Sequence, residues 1–142
     1  MIAPWWRGTF FWIALGLGPV YWLLHWWVFG LGTHAWQLDG RYLLLVIVYP
    51  VLEECVYRGL LQAQLQKAAW LPRTNWPVPS ANLITSAVFA ATHLFTQGVM
   101  GLLTFFPSLV LGAVFDRYGR LAPTILLHIV YNAGYLLLFS GD

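Results

Sequence analysis

Charge is what this chain has least of. Its 142 residues include 7 Lys or Arg and 5 Asp or Glu, so 8% are charged, against roughly 25% in an average soluble domain. The sequence is 60% hydrophobic and 18% aromatic, with a mean hydropathy of +0.69. A water-soluble fold of that composition would have too little polar surface to present. The formal net charge of +2 is too small to counter a phosphate backbone and argues against a nucleic-acid partner. One cysteine, Cys55, excludes an internal disulfide framework and any CxxC metal motif. Beside Glu54 in an apolar stretch, Cys55 reads as a small packing residue. Residues 1–6 lack the basic start and the cleavage site of a signal peptide, so the first apolar segment is expected to remain in the mature protein. There is no internal repeat and no low-complexity tract, and the length suits one domain over residues 1–142.

What is present is a series of long apolar runs. Crossing a bilayer takes about 20 apolar residues in a helix. Residues 9–29 fit a first span, rich in interfacial Trp (Trp12, Trp22, Trp26, Trp27), with His25 reading as an interfacial histidine. Residues 30–39 read as a polar loop holding a solvated His34. A second helix is expected over residues 42–66, its polar end (Gln62, Gln64, Gln66, Lys67) leaving the membrane. The prolines of residues 71–80 make a loop, and Ser80 or Asn82 can cap a third helix running to about residue 95. After a tight connection at Thr96, Gln97 and Gly98 come a fourth helix over residues 99–115, interrupted by Pro107, and a charged turn at 116–120. A fifth helix covers residues 121–139, with Pro123 in its first turn, where proline is tolerated. The fold class expected is all-α: a polytopic membrane protein of about five transmembrane helices in one bundle, with an intramembrane polar site. If the helices alternate, Arg7, Lys67, Arg73, Arg117 and Arg120 share one face, and Arg41 stands on the other with Asp39 and Asp142. That bias puts the N-terminus in the cytoplasm and the C-terminus outside.

Within the second helix, Glu53, Glu54 and Arg58 break the apolar pattern. A charged side chain at mid-bilayer costs about 2.5–3.5 kcal/mol on insertion scales, so such residues read as functional. At about 1.5 Å rise per residue, Glu53, His93 on the third helix and His128 on the fifth fall in one slab of the bilayer. Glu54 and Arg58 are i,i+4 and can pair. Glu53, turned about 100° away, needs other partners. His128 and Asn132 are also i,i+4 and can aim at one point. A carboxylate, two histidines and an amide around one cavity suit hydrolysis: Glu deprotonates a water, His shares the proton, and Asn and His donate to an oxyanion. For Tyr57 and Thr92, beside these residues, packing is the reading adopted.

The motifs Glu53-Glu54-x-x-x-Arg58, Phe89-x-x-x-His93 and His128-x-x-x-Asn132 resemble those of the CAAX protease and bacteriocin-processing (CPBP) family, relatives of the type II CAAX prenyl endopeptidase. The resemblance covers residues 53–132, with a motif core of 50–132. It implies a glutamic-type intramembrane endopeptidase. Glu53 with His93 would activate water, His128 with Asn132 would form the oxyanion hole, and Glu54 and Arg58 would support the site. No cofactor is implied. If the reaction were zinc-dependent, Glu53, His93 and His128 would be the ligands, although the chain has no HExxH motif. The implied partners are the lipid bilayer and a membrane-associated protein or peptide substrate, and the implied location is a bacterial inner membrane. With about five spans the chain is shorter than the eukaryotic prenyl proteases and looks more like compact bacterial members, such as the myxosortase-like group that processes sorting tails. Two other classes stand beside this one. A bacteriocin self-immunity protein or membrane scaffold would need no turnover, and a proton carrier would use the carboxylates as a relay. The sequence has no GxSG-like motif for a serine protease.

Overall fold

The computed structural model describes residues 4–31, 40–72 and 77–139, and every regular element among them is helical. A short 3-10 turn, Trp5–Arg7, leads into α1, Thr9–Phe29. Helix α2 runs through residues 40–67. Helix α3 is Ser80–Gln97, followed by a 3-10 segment, Gly98–Thr104. Helices α4, Phe105–Tyr118, and α5, Leu121–Phe139, complete the chain. His34, Asp39, Arg73 and Asp142 lie outside the described residues.

Among the described residues, three stretches are long and apolar enough to cross a membrane: Thr9–Phe29, Ser80–Tyr118 and Leu121–Phe139. Trp12, Ile13, Leu17, Leu23, Leu24 and Trp27 of α1 all point outward and stay exposed. Together these features make the chain an integral membrane protein of all-α class. The count of three differs from the five spans that the hydropathy pattern suggests, for two reasons. Residues 80–118 form one apolar stretch that reverses at Gly98, so α3 and α4 stand side by side as a hairpin. Gly98 takes φ +58° there, a region that L side chains rarely occupy. Helix α2 carries Glu53, Glu54 and Arg58 at its centre and is too polar to qualify on composition.

Helix registers follow from residue contacts. Gly18 of α1 lies against the Tyr131 ring of α5, and Gly134 of α5 lies against Trp22 of α1. The Tyr131 hydroxyl donates to the Ala14 carbonyl. Glycine at both crossings lets the backbones approach, which matters in lipid, where packing and interhelical hydrogen bonds hold helices together. Phe11, Ala14, Leu111, Val114, Leu127 and Tyr131 make the apolar core where α1, α4 and α5 meet. One end of the bundle gathers Arg7, Lys67, Arg117 and Arg120, because Gly8 abuts Tyr118 and Gln66 bonds Asp116.

The structure adds local detail and changes some expectations. His25 is buried between α1 and α5 among the rings of Tyr21, Phe29, Tyr135 and Phe139. Cys55 is exposed on the outer side of α2, so it does not pack inside. The N-cap of α3 is Pro79. Ser80 instead donates to the Pro72 carbonyl, and Asn82 is buried against α4. Gln62, in the polar end of α2, is fully buried. Asp116 belongs to the last turns of α4, where it accepts from Gln62 and Gln66.

Helix α2 alternates ordinary and wide turns, with π-helical stretches at Leu44–Val48 and Cys55–Gln62. The first has an identifiable cause. Pro50, fully buried, has no N–H, and in an α-helix its ring would clash with the carbonyl four residues back. The upstream turn widens, and the Tyr49 N–H donates to Leu44 five residues behind it. In that register the Leu45 carbonyl would need an N–H from residue 50, which is proline. Asn132 Nδ2 of α5 supplies the donor at 3.0 Å.

Candidate active site

Four helices bring the polar residues together. Helix α2 provides Glu53, Glu54 and Arg58, α3 provides His93, α5 provides His128 and Asn132, and α4 provides Ser108. The two adjacent carboxylates have different surroundings, as their 100° separation on the helix requires. The Glu54 side chain is 0% exposed and that of Glu53 is 27% exposed.

Glu54 faces inward between α4 and α5. Its Oε1 lies 2.9 Å from His128 Nδ1, and its Oε2 lies 3.4 Å from Arg58 Nε. A carboxylate beside a guanidinium has only lone pairs to offer, so His128 Nδ1–H donates to Glu54. That bond orients the ring and turns Nε2 toward Glu53 Oε2, 3.5 Å away. Burial of a carboxylate at this depth depends on such partners, because an isolated charge in low dielectric is strongly disfavoured.

Glu53 stands at the mouth of the site. His93 Nε2 lies 3.9 Å from Glu53 Oε1. The other ring nitrogen, Nδ1, is 2.9 Å from the Phe89 carbonyl. A carbonyl can only accept, so Nδ1 carries the hydrogen and neutral His93 presents Nε2 as an acceptor. The Phe89 ring stacks on His93 at a centroid distance of 4.3 Å and meets His128 edge-on at 5.9 Å. Phe89 is therefore the apolar wall between the two histidines, and its spacing four residues before His93 places it there.

Tyr57 and Thr92 bond each other at 2.8 Å. The Thr92 hydrogen goes to the Phe89 carbonyl at 2.8 Å, so Tyr57 O–H is the donor to Thr92. This pair ties α2 to α3 through the carbonyl that also orients His93, a link that a packing reading had missed.

The sequence-derived set is thus brought together in part. Glu53, His93 and His128 converge, and Glu54 and Arg58 sit directly behind them. Asn132 lies one turn farther along α5, with one amide hydrogen held by Leu45 and a second left for other use. Among the described residues, no group of three or more His, Cys, Asp or Glu side chains is arranged to hold a metal ion. Glu53, His93 and His128 face one another at hydrogen-bonding and ion-pair range, the two histidines on different oxygens of Glu53 and His128 anchored through Nδ1 to Glu54.

Sequence reasoning missed the support behind Arg58. Arg58 Nη2 donates to the Ser108 carbonyl at 2.8 Å and to Ser108 Oγ at 2.9 Å. Ser108 in turn reaches Ser86, and Ser86 reaches Asn82. One turn on, Gln62 Nε2 bonds Gly112 O and Asp116 Oδ1. The signal was available: Glu54, Arg58, Gln62 and Gln66 repeat every four residues on one face of α2, and Ser108, Gly112 and Asp116 repeat likewise on α4.

No match to the chain was found among curated proteins or among solved structures. The family model described as Type II CAAX prenyl endopeptidase Rce1-like matches residues 35–134, which contain every residue of the site. The chain belongs to the Rce1-like family of type II CAAX prenyl endopeptidases, a family of membrane-embedded proteases.

Proposed function

We propose that the chain is a glutamic-type intramembrane endopeptidase that hydrolyses a peptide bond near the membrane, with Glu53 as general base. The observation that carries this reading is the acceptor pair at the mouth of the site. Glu53 Oε1 and His93 Nε2 face each other 3.9 Å apart, and with Glu53 ionised and His93 neutral both are acceptors. A water bonded to both at about 2.8 Å matches that separation and donates one hydrogen to each. Glu53 takes the proton as the water oxygen attacks the peptide carbonyl, and later gives it to the leaving amine. His128, anchored through Nδ1 to Glu54, offers Nε2–H to the developing oxyanion in its imidazolium form, and Asn132 offers its second amide hydrogen. Glu54 and Arg58 hold His128 in place and do not touch the substrate. The scheme needs no cofactor.

The catalytic unit is a single domain, residues 1–142, with its motif core at 50–132. We place it in a bacterial inner membrane, with the basic end of the bundle and the N-terminus in the cytoplasm and the C-terminus outside. The substrate is a membrane-associated protein or peptide. Candidate substrates are a prenylated CAAX terminus, a bacteriocin-type peptide and a C-terminal sorting tail.

The test is cleavage in proteoliposomes of three peptides: a prenylated CAAX peptide, a bacteriocin precursor and a C-terminal sorting tail. Products are read by mass spectrometry. The native chain cleaves at least one, and Glu53→Gln cleaves none. Turnover retained by Glu53→Gln sinks the mechanism, and no cleavage by the native chain favours a non-catalytic immunity or scaffold role.

A further inference from the structure

Arg58 lies 3.4 Å from Glu54, yet the bonds that fix its guanidinium run elsewhere. Neither Arg58 Nε nor Glu54 Oε2 makes a well-aligned hydrogen bond, so the pair interacts mainly as two charges. The directed bonds are the two from Nη2 to Ser108, on a different helix. We infer that Ser108, oriented by Ser86 and Asn82, is a positioning residue for the reaction: it holds the Arg58 guanidinium off a bidentate grip on Glu54 and so leaves Glu54 aligned on His128. The inference rests on the proposed role of His128 opposite Glu53.

Donor counting makes the chain of bonds one-directional. Arginine only donates, so Ser108 Oγ accepts from it and has a single hydrogen to pass on. That hydrogen goes to Ser86 Oγ at 3.1 Å. Ser86 then gives its own to Asn82 Oδ1 at 3.1 Å, which leaves Asn82 Nδ2 to donate to the Leu109 carbonyl at 3.0 Å. Every dipole in the line points its negative end toward the cation, an arrangement in which each bond strengthens the next. Arg58, Ser108, Ser86 and Asn82 are all 0% exposed, so no solvent competes for these bonds. Gly112 completes the device: any side chain there would strike the Asn82 amide. Because an arginine does not release its proton, the line is not a proton wire. Its effect is on position.

If Ser108 loses its hydroxyl, Arg58 keeps one of its two hydrogen bonds, to the Ser108 carbonyl, along with its contact over the Phe89 ring. It can then swing onto both Glu54 oxygens, the fork geometry that arginine favours. Glu54 Oε1 is then drawn off His128 Nδ1, and the ring loses its anchor.

The experiment compares Ser108→Ala, Ser108→Thr, Ser86→Ala and Glu53→Gln with the native chain. The readouts are kcat and KM on the cleaved peptide, thermal unfolding in detergent, and the 15N resonances of the His128 imidazole. Ser108→Ala is expected to fold, to lose about tenfold in kcat at unchanged KM, as a misplaced group does, and to move the His128 Nδ1 resonance. Ser108→Thr retains the hydroxyl and restores most of kcat. Ser86→Ala, which leaves both Arg58–Ser108 bonds in place, gives a smaller shift of the same sign, and it decides the matter by the same readouts if Ser108→Ala does not fold. Native kcat in Ser108→Ala with Glu53→Gln inactive overturns the positioning role and spares the catalytic scheme. An active Glu53→Gln removes the scheme, and the His128 spectrum alone then decides: an unmoved resonance in Ser108→Ala overturns the inference.

Discussion

Removing the Asn132 side chain tests how α2 tolerates Pro50. In the structure the Leu45 carbonyl has no N–H to pair with at residue 50, and Asn132 provides its donor from α5. Interhelical side-chain hydrogen bonds in membranes are worth about 0.6 kcal/mol on average and at most about 1.7. A buried carbonyl left without any donor costs about 1–3 kcal/mol. Asn132→Ala should therefore destabilise the protein by about 1–2 kcal/mol, within the range of those two values. Pro50→Ala restores an N–H in the register that Leu45 needs. On its own it sets lost packing at a fully buried ring against relief of a helix-interior proline, opposing effects of about 1–3 kcal/mol each. The two changes should couple: in the Pro50→Ala background, Asn132→Ala should cost about 1 kcal/mol less, because Leu45 no longer depends on the amide. The assay is a double-mutant cycle by denaturant unfolding in detergent micelles. Independent sites add within about 0.3–0.5 kcal/mol, so a coupling below that level refutes the reasoning. Turnover adds a second discriminator. Pro50→Ala should recover stability in the Asn132→Ala chain but not its activity, since the proposed oxyanion donor is still gone.

The two adjacent glutamates should fail differently. Glu53→Gln should abolish cleavage with unfolding unchanged, whereas Glu54→Gln leaves Arg58 buried without its counter-ion and should also destabilise by about 3–5 kcal/mol; equal, purely catalytic losses would contradict that division. Gly112→Ala should destabilise by about 1–3 kcal/mol through overpacking against Asn82, and unfolding at the native midpoint would show that the α3–α4 seam is looser than described. Tyr57→Phe removes one partly exposed bond to Thr92 and should cost under about 1 kcal/mol; a larger loss would mean that Tyr57 carries more than the α2–α3 link.

Composition and spacing are local properties, and what depends on them alone was legible. Scarce charge and long apolar runs put the chain in a membrane. The i,i+4 spacing paired Glu54 with Arg58 before any coordinates, since that geometry belongs to one helix. Depth counting placed Glu53, His93 and His128 at one level, and they converge. The helix ends were also close, apart from the cap of α3 and from α4. Helix α4 starts at Phe105 after a 3-10 segment rather than at residue 99, carries Pro107 in its first turn without interruption, and extends through Asp116 to Tyr118. What polarity alone did not reveal was pairing. Gln62 lies in the polar end of α2 and Asp116 in a charged stretch, yet they bond each other across α2 and α4, and polar residues that find partners can be buried.

The sequence by itself determined the solvent of this protein, the helical segments and the set of polar residues at common depth, because hydropathy and helical rise need no knowledge of neighbours. Only the tertiary structure decided which partner each of those residues has. Glu54 reaches His128 across 74 positions, Arg58 reaches Ser108 across 50, and Asn132 reaches Leu45 across 87. Each of these bonds depends on the rotation and register of two helices packed together. Those quantities are set by the glycine crossings, by the Gly98 reversal and by the wide turn ahead of Pro50, and they leave no periodic trace in either helix alone.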